Sequence, residues 1–430
     1  MRSAAKSVST FALTAAALAS ILGCGNTYRP VVSAINPVGP AAQPTKYAIA
    51  VSSPSPTSPG LVTIVDFSGD TVLITANLGV APYYLALNSA GNTGYTLNGD
   101  STVTSFDIST QLQTKDVLQT TLLTSAAPNN ILPLTTSTYI SEPGRNAIAQ
   151  LTGSPPALKQ ELPITTGYTP VYIAGSSGGT RAYAISQGSG SGNGQVAAIE
   201  LDSNTISSTL PVGKAPIYGV MTADGKRVFV MNQGDGTVSV INSQTNQLDV
   251  APSGSTNPIT VGTSPLWADF APTRSELVVA NAGNGTNPGT VSLINIPLCS
   301  ATTLPTNPGC DPTNPVDAVG FGQILATVPV GVNPRMVAVL QDGTRAYVVN
   351  QKDSTVSVVN LTTNTVTATI PVPATVHPTF IAATTGTPTG KVYVTSPESK
   401  TMTVIRTDMD AVDTTIPLQG FGVQVRVTAQ

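Results

Sequence analysis

Short runs in which apolar and polar residues alternate follow one another along almost the whole chain after residue 45, for example "RVFVMN" (227–232), "TVSVIN" (237–242), "RAYVVN" (345–350) and "TVSVVN" (355–360). Val, Ile, Thr and Tyr fill these runs, and clusters of Gly, Asn, Asp and Pro separate them. A period of two in β-branched and aromatic residues predicts strands, and the clusters predict the turns between them. No long stretch past residue 24 repeats at helical spacing, and 35 prolines oppose long helices. The pattern predicts an all-β chain.

The runs themselves recur. Eight versions of one strand can be counted: "KYAIAV" (46–51), "TGYTLN" (93–98), "TYIS" (138–141), "RAYAIS" (181–186), "RVFVMN" (227–232), "ELVVAN" (276–281), "RAYVVN" (345–350) and "KVYVTS" (391–396). Successive copies are 43 to 49 residues apart, with one gap of 69 that holds a cysteine-containing insertion at 296–326. A second strand follows ("TVSVIN", 237–242; "TVSLIN", 290–295; "TMTVIR", 401–406). A third ends in a turn ("TLPVGKAP", 209–216; "TVPVGVNP", 327–334; "TIPVPATVHP", 369–378), and a fourth starts at its proline ("PIYGVMT", 216–222; "PRMVAVL", 334–340; "PTFIAAT", 378–384). Several fourth strands run into Asp-Gly, at 224–225 and 342–343, a strong hairpin signal. Four antiparallel strands per unit describe a propeller blade, which cannot bury both faces alone and so stacks with its copies around a channel. Eight complete units favour eight blades over seven; seven is the outcome if the faint second or third unit is degenerate.

"AYVVN", "VFVMN" and "VYVTS", followed by "TVSVVN", "TVSVIN" and "TMTVIR", resemble the YVTN-type β-propeller repeat, as do the "IPVG…P" turns and the "DGTRAYV" and "DGKRVFV" connections. The resemblance covers residues 44–428 and is strongest from 209 onward. It implies a single propeller domain over 45–430, with the strand after each proline innermost and the "TIPV"-like strand outermost. The first unit then lacks an inner strand while the C terminus has one to spare, "VQVRVTA" (423–429). That strand is expected to close the ring beside "KYAIAV", in competition with "RPVVSAI" (29–35). The family shares blades rather than an active site, so the resemblance implies a fold and names no ligand.

The first 23 residues read as a signal peptide: Arg2 and Lys6, then the 12-residue apolar run Phe11 to Leu22, too short to span a bilayer. "ILGC" resembles a bacterial lipobox, which implies lipidation of Cys24 and a Pro-rich tether to residue 44. Ordinary secretion after "ALA" (17–19) is the alternative. The expected location is the cell envelope, outside the cytoplasm, with the lipid as the membrane contact. Cys299 and Cys310 bracket a Pro- and Thr-rich loop and are expected to pair as a disulfide, since two cysteines without a nearby histidine cannot complete a zinc site. Charged residues make up only 10% of the chain, so Ser, Thr, Asn and Gln must cover much of the surface. Net charge −3 leaves no basic footprint for nucleic acid.

Chemistry is sparse. His377 is the only histidine, which removes His-cluster metal sites and mechanisms needing two imidazoles. There is no G-x-S-x-G, H-E-x-x-H or P-loop, and "GSGSGNG" (188–194) precedes a strand rather than a helix. No cofactor or metal is expected. Two residues beyond the proline of the inner strand stand Tyr84, Tyr172, Tyr218, Trp267, Met336 and Phe380. Such a ring near a channel mouth could stack on a sugar or another flat ligand; strand side chains in a propeller point mainly at neighbouring blades, however, and packing between blades explains the same ring. Arg335 and His377 flank it as polar candidates, and Asp269 is a carboxylate on an otherwise apolar inner strand. The Asn-, Gln- and Asp-rich turns at 232–236, 281–289 and 350–354 are either a binding rim or simply turn geometry. The sequence therefore points to a monomeric binding module for a glycan, peptide or protein. A lactonase-like hydrolase or lyase using acids at the channel, and a structural surface component, are the alternatives.

Overall fold

Each of the eight copies of the repeated run is a strand, from Tyr47–Ser53 to Lys391–Thr395, in a computed structural model that describes residues 46–190, 192–249, 257–271, 273–297, 320–384 and 390–428. The signal segment, Cys24, the tether, the rival strand 29–35 and the Cys299–Cys310 loop lie outside the described residues. The strands form eight antiparallel sheets, numbered here as blades 1 to 8 from the N terminus. Their inner strands are, in that order, Phe421–Val427, Pro82–Leu87, Asn130–Pro133, Tyr168–Ala174, Pro216–Met221, Pro265–Ala271, Pro334–Val339 and Phe380–Thr384. Each inner strand packs against the next around the ring, and Phe421–Val427 packs against both Pro82–Leu87 and Phe380–Thr384. The chain is an eight-bladed β-propeller. Blade 1 is closed as the strand count requires: Ala48 pairs with Val427, Ala50 with Val425 and Ser53 with Phe421. Blade 5 departs from the pattern, because two short strands, Gln247–Leu248 and Ile259–Thr260, share its outer edge.

Burial explains why the middle strands are almost wholly apolar while the outer ones alternate. Arg227–Asn232 is buried at every residue, whereas Thr365–Pro371 alternates between exposed and half-buried positions up to Ile370. A middle strand is covered on both faces by neighbouring blades; blades splay outward, so outer strands meet water. The apolar core accordingly divides into eight clusters, one at each seam between neighbouring blades.

Two polar devices recur at the seams. In the first, a buried tyrosine hydrogen-bonds to an Asx residue in a left-handed turn of the following blade. Tyr139 donates to Asn204, Tyr183 to Asn246 at 3.1 Å, and Tyr347 to Asp410 at 2.5 Å. Across the closing seam Tyr393 donates to Asp70 at 3.3 Å. Asn204, Asn246, Asp410 and Asp70 all have φ between 48° and 54°, a conformation that Asn and Asp tolerate best among residues with a side chain. Basic residues two positions before the tyrosine join two of these contacts: Arg345 reaches Asp410 at 2.7 Å and Lys391 reaches Asp70 at 2.6 Å.

In the second device, a residue that ends the repeated run, or directly follows it in blades 1 and 3, is buried and polar in all eight blades: Ser52, Asn98, Glu142, Ser186, Asn232, Asn281, Asn350 and Ser396. Asn232 Nδ2 donates to Thr237 and Ser239, and Asn350 Nδ2 to Thr355 and Ser357, tying each hairpin. Over every Asn lies a glycine from the preceding blade. A Cβ on Gly79, Gly213, Gly262 or Gly331 would come within 2.3 to 2.7 Å of Asn98, Asn232, Asn281 or Asn350. Where the ring carries Ser, the place of that glycine is taken by Thr165, Pro373 or Gln419. The "PVG" turns therefore follow from what their neighbour must accommodate.

Candidate functional site

The inner strands do not run straight from their prolines. Their pairing slips by one residue between Pro82 and Tyr84, Pro170 and Tyr172, Pro216 and Tyr218, Pro265 and Trp267, and Pro334 and Met336. Each slip is a β-bulge, which leaves one residue unpaired and re-aims the side chains around it. The residue after the bulge lines an axial cavity of about 470 Å³ in all five strands. Asp269, from blade 6, and Arg426, from the closing strand of blade 1, also line it, and Asn88, Ser89, Gly91 and Thr428 form its rim.

The aromatic side chains share two tasks. Tyr218 and Trp267 stack on each other, ring centroids 4.0 Å apart at 22°, and Tyr172 tilts against Tyr218 at 4.8 Å. Trp267 also packs against three seam clusters, so much of its surface serves the ring itself. The Tyr218 hydroxyl donates to the Ala268 carbonyl at 3.4 Å, and those of Tyr84 and Tyr172 also stand on the cavity wall. Burial pushes the Tyr172 and Tyr218 phenols well above their ordinary range; the nearby Tyr84 hydroxyl adds to the rise and the Arg426 guanidinium opposes it. Tyr84 accepts a hydrogen bond from Asn130 Nδ2 at 2.8 Å.

Asp269 has a structural task. Its Oδ1 accepts from the Phe270 N–H at 2.9 Å, and its Oδ2 crosses the seam to accept from the Val339 N–H at 2.8 Å. Burial raises its pKa to about 6 against the pull of those two amides. Gln424 and Asn130 bridge other seams likewise, accepting from the Leu85 and Ile173 N–H groups at 3.0 and 2.9 Å.

Three residues singled out by sequence stand elsewhere. Arg335 occupies the bulge between Pro334 and Met336 and is exposed, while Met336 takes the cavity position. Phe380 packs into the seam between blades 7 and 8. His377 lies in the turn before its inner strand, half-exposed, paired with Glu398 at 2.7 Å. The turns at 232–236, 281–289 and 350–354 contribute nothing to the cavity wall; its rim comes from the opposite ends of the inner strands. Arg426 is the cavity residue that the proline-based ruler misses, because the closing strand has no such proline. Its signal was the alternation "VQVRV", which sets Gln424 and Arg426 on one face of an inner strand. Among the described residues no group of three or more His, Cys, Asp or Glu side chains could hold a metal ion, and no helix is long and apolar enough to cross a membrane.

Fold and cavity together define an eight-bladed β-propeller with an axial pocket. No protein-family model and no curated protein matches the chain. Among solved structures it is similar to apo AztD from Citrobacter koseri, with a TM-score of 0.58 and 13% identity over 89% of this chain and 97% of that one. It is also similar to the dihydro-heme d1 dehydrogenase NirN in complex with DHE (TM-score 0.63, 11% identity, 89% and 75% covered). A 6-phosphogluconolactonase candidate from Bacteroides fragilis gives a TM-score of 0.53 and 13% identity over 90% and 99% of the two chains. At these identities the likeness establishes the fold.

Proposed function

We propose that the chain is a lipid-anchored YVTN-type propeller of the cell envelope that binds a small polar molecule in its axial cavity. The cavity carries this reading: about 470 Å³, walled by aromatic and aliphatic side chains, with a few hydroxyls, one guanidinium and one carboxyl converging on it. That combination of size and sparse polar groups is typical of ligand pockets. The lipobox-like "ILGC" supports the anchor, and the expected pairing of Cys299 with Cys310 would suit an oxidising compartment. The similar NirN structure holds DHE, which is consistent with a propeller that takes a small molecule. Against a hydrolase or lyase stands the engagement of Asp269, whose two oxygens are committed to backbone amides, and the position of His377 outside the cavity.

The test is thermal unfolding of the purified protein against divalent metals, cell-wall glycans, lactones and small organic acids. A ligand at 100 times its Kd stabilises by about 2.7 kcal/mol. For a domain of about 380 residues that is a shift of about 3 °C. One class is expected to raise Tm, with the shift lost in Tyr84→Phe or Tyr172→Phe, which remove a hydroxyl and keep the ring. Silence across the panel would overturn the cavity reading in favour of a protein partner.

A further inference from the structure

Six of the eight described arginines hold a carboxylate at 3.1 Å or less. The two that do not are Arg335, which is exposed, and Arg426, which lines the axial cavity. The guanidinium of Arg426 makes one long hydrogen bond, 3.4 Å to the carbonyl of its neighbour Val425. A half-buried cation with so little to bind is unusual in a chain that pairs its arginines this consistently, since a guanidinium offers five N–H donors in a rigid fork.

We propose that the cavity is an oxyanion site in which Arg426 grips the carboxylate or phosphate group of the ligand and the phenols of Tyr84 and Tyr172 complete its hydrogen bonds. The proposal rests on the reading of the cavity as a ligand site. Arg426 belongs to blade 1, yet its charge lowers the phenol pKa values of Tyr172 in blade 4 and Tyr218 in blade 5. It lines the same cavity as Tyr84 and Tyr172. Donors from blades 1, 2 and 4 then line one cavity: the Arg426 guanidinium and the hydroxyls of Tyr84 and Tyr172, the first of which accepts a bond from Asn130 Nδ2 at 2.8 Å. Asp269, the other ionisable group of the lining, does not compete for Arg426, because both its oxygens accept backbone N–H groups. Fork-on-oxyanion bonds of this kind are shorter and roughly twice as strong as neutral ones. A neutral ligand would leave the guanidinium unsatisfied.

The experiment is calorimetric titration of the purified protein with matched probes: benzoate against benzamide, succinate against succinamide, and inorganic phosphate. Wild-type protein is expected to bind at least one anion at least tenfold more tightly than its neutral counterpart, or phosphate itself. Arg426→Gln is expected to weaken anion binding at least tenfold, and Arg335→Gln, which removes the same charge outside the cavity, to leave it unchanged. A carboxylate preference over phosphate identifies an organic acid as the ligand class, and the reverse a phosphorylated molecule. If Arg426→Gln does not fold, Arg426→Lys decides: it keeps the charge, loses the fork, and is expected to weaken the anion several-fold while leaving the amide unchanged. Equal binding of anion and amide, or anion binding indifferent to both Arg426 variants, overturns the oxyanion assignment and leaves the cavity reading standing. If none of these probes binds while a neutral glycan or lactone does, the oxyanion assignment also falls and the cavity reading stands. If no small molecule of any class binds, both fall.

Discussion

Replacing Asp70 by Asn removes one charge at the seam where the ring closes. Asp70 sits in the outer turn of blade 1, Lys391 and Tyr393 in blade 8, and 321 residues separate the two charged partners. The Lys391 and Asp70 side chains are only 4% and 9% exposed, with 2.6 Å between Nζ and Oδ2. Asn keeps an oxygen for Tyr393 and tolerates the left-handed φ of 52°, so the change isolates the charge. It leaves the Lys391 ammonium with the Phe67 carbonyl at 2.7 Å and the Phe67 ring at 5.3 Å. Breaking one side of a buried pair typically costs about 3–5 kcal/mol. With about 2.1 cal/mol/K of unfolding entropy per residue over about 380 residues, Tm should fall by about 4–6 °C. Hydrogen exchange should localise the loss to amides of Ala48–Val51 and Val425, the paired strands next to the seam. Restoring neutrality on both sides, with Asp70→Asn plus Lys391→Met, should recover most of the loss. The same change at Asp410, whose pair with Arg345 is 21% and 24% exposed, should cost clearly less. A Tm within 1 °C of wild type together with unchanged exchange at the closing seam would refute the claim that this pair holds the ring shut.

The remaining predictions are independent of that seam. Glu142 is a carboxyl in the ring position where other blades carry Asn or Ser; burial, with the nearby Glu161 adding to it, raises its pKa to about 8 against the pull of Arg145. A raised acid pKa stabilises the fold fully below the unfolded value, near 4.3, and that contribution is lost as pH climbs through the folded one. Glu142→Gln should therefore gain on wild type in urea midpoint from pH 5 to pH 9, and a difference that does not change with pH would count against it. Gly213→Ala, which places a Cβ 2.7 Å from Asn232 Cγ, should destabilise by about 1–3 kcal/mol, and Asn232→Ser in the same chain should relieve it. Cys24→Ser should abolish lipid labelling and move the protein from the detergent phase to the aqueous phase; unchanged partition would dispose of the anchor.

What the sequence reveals here and what it hides divide along a physical line. Strands, blade number and closure by a C-terminal strand, expected at 423–429 and found at 421–427, were legible because period-two runs recur at a fixed interval, and because strand counting left one inner seat empty. The positions of Tyr84, Tyr172, Tyr218, Trp267 and Met336 on the cavity wall followed from one ruler, the proline two residues before each. Phe380 breaks that ruler: its strand pairs without the bulge that the other five have, a difference invisible in an alternation pattern, and the ring packs into the seam between blades 7 and 8. The seam contacts were beyond reach for another reason. Asp70 with Lys391, and Asp269 with the Val339 amide, join residues far apart in sequence, and nothing local in either partner signals the other. Gly213 opposite Asn232 lies between these cases: both belong to visible motifs, but only the packing of one blade on the next explains why they occur together.

Closure by the last strand also decides where anything can be attached to this molecule. The Tyr47 N–H donates to Thr428 Oγ1 at 2.9 Å, and the Thr428 N–H to the Tyr47 carbonyl at 3.0 Å. Thr428 is part of the cavity rim, so the propeller's first and last strands meet at the doorway of its own pocket. A reporter fused directly before Lys46 or after Thr428 would crowd the opening from either end. A circular permutant that joins those ends by a short bridge and is cut in the turn at 232–236, on the far face, would carry its new termini away from the entrance and leave the pocket free for immobilised binding assays.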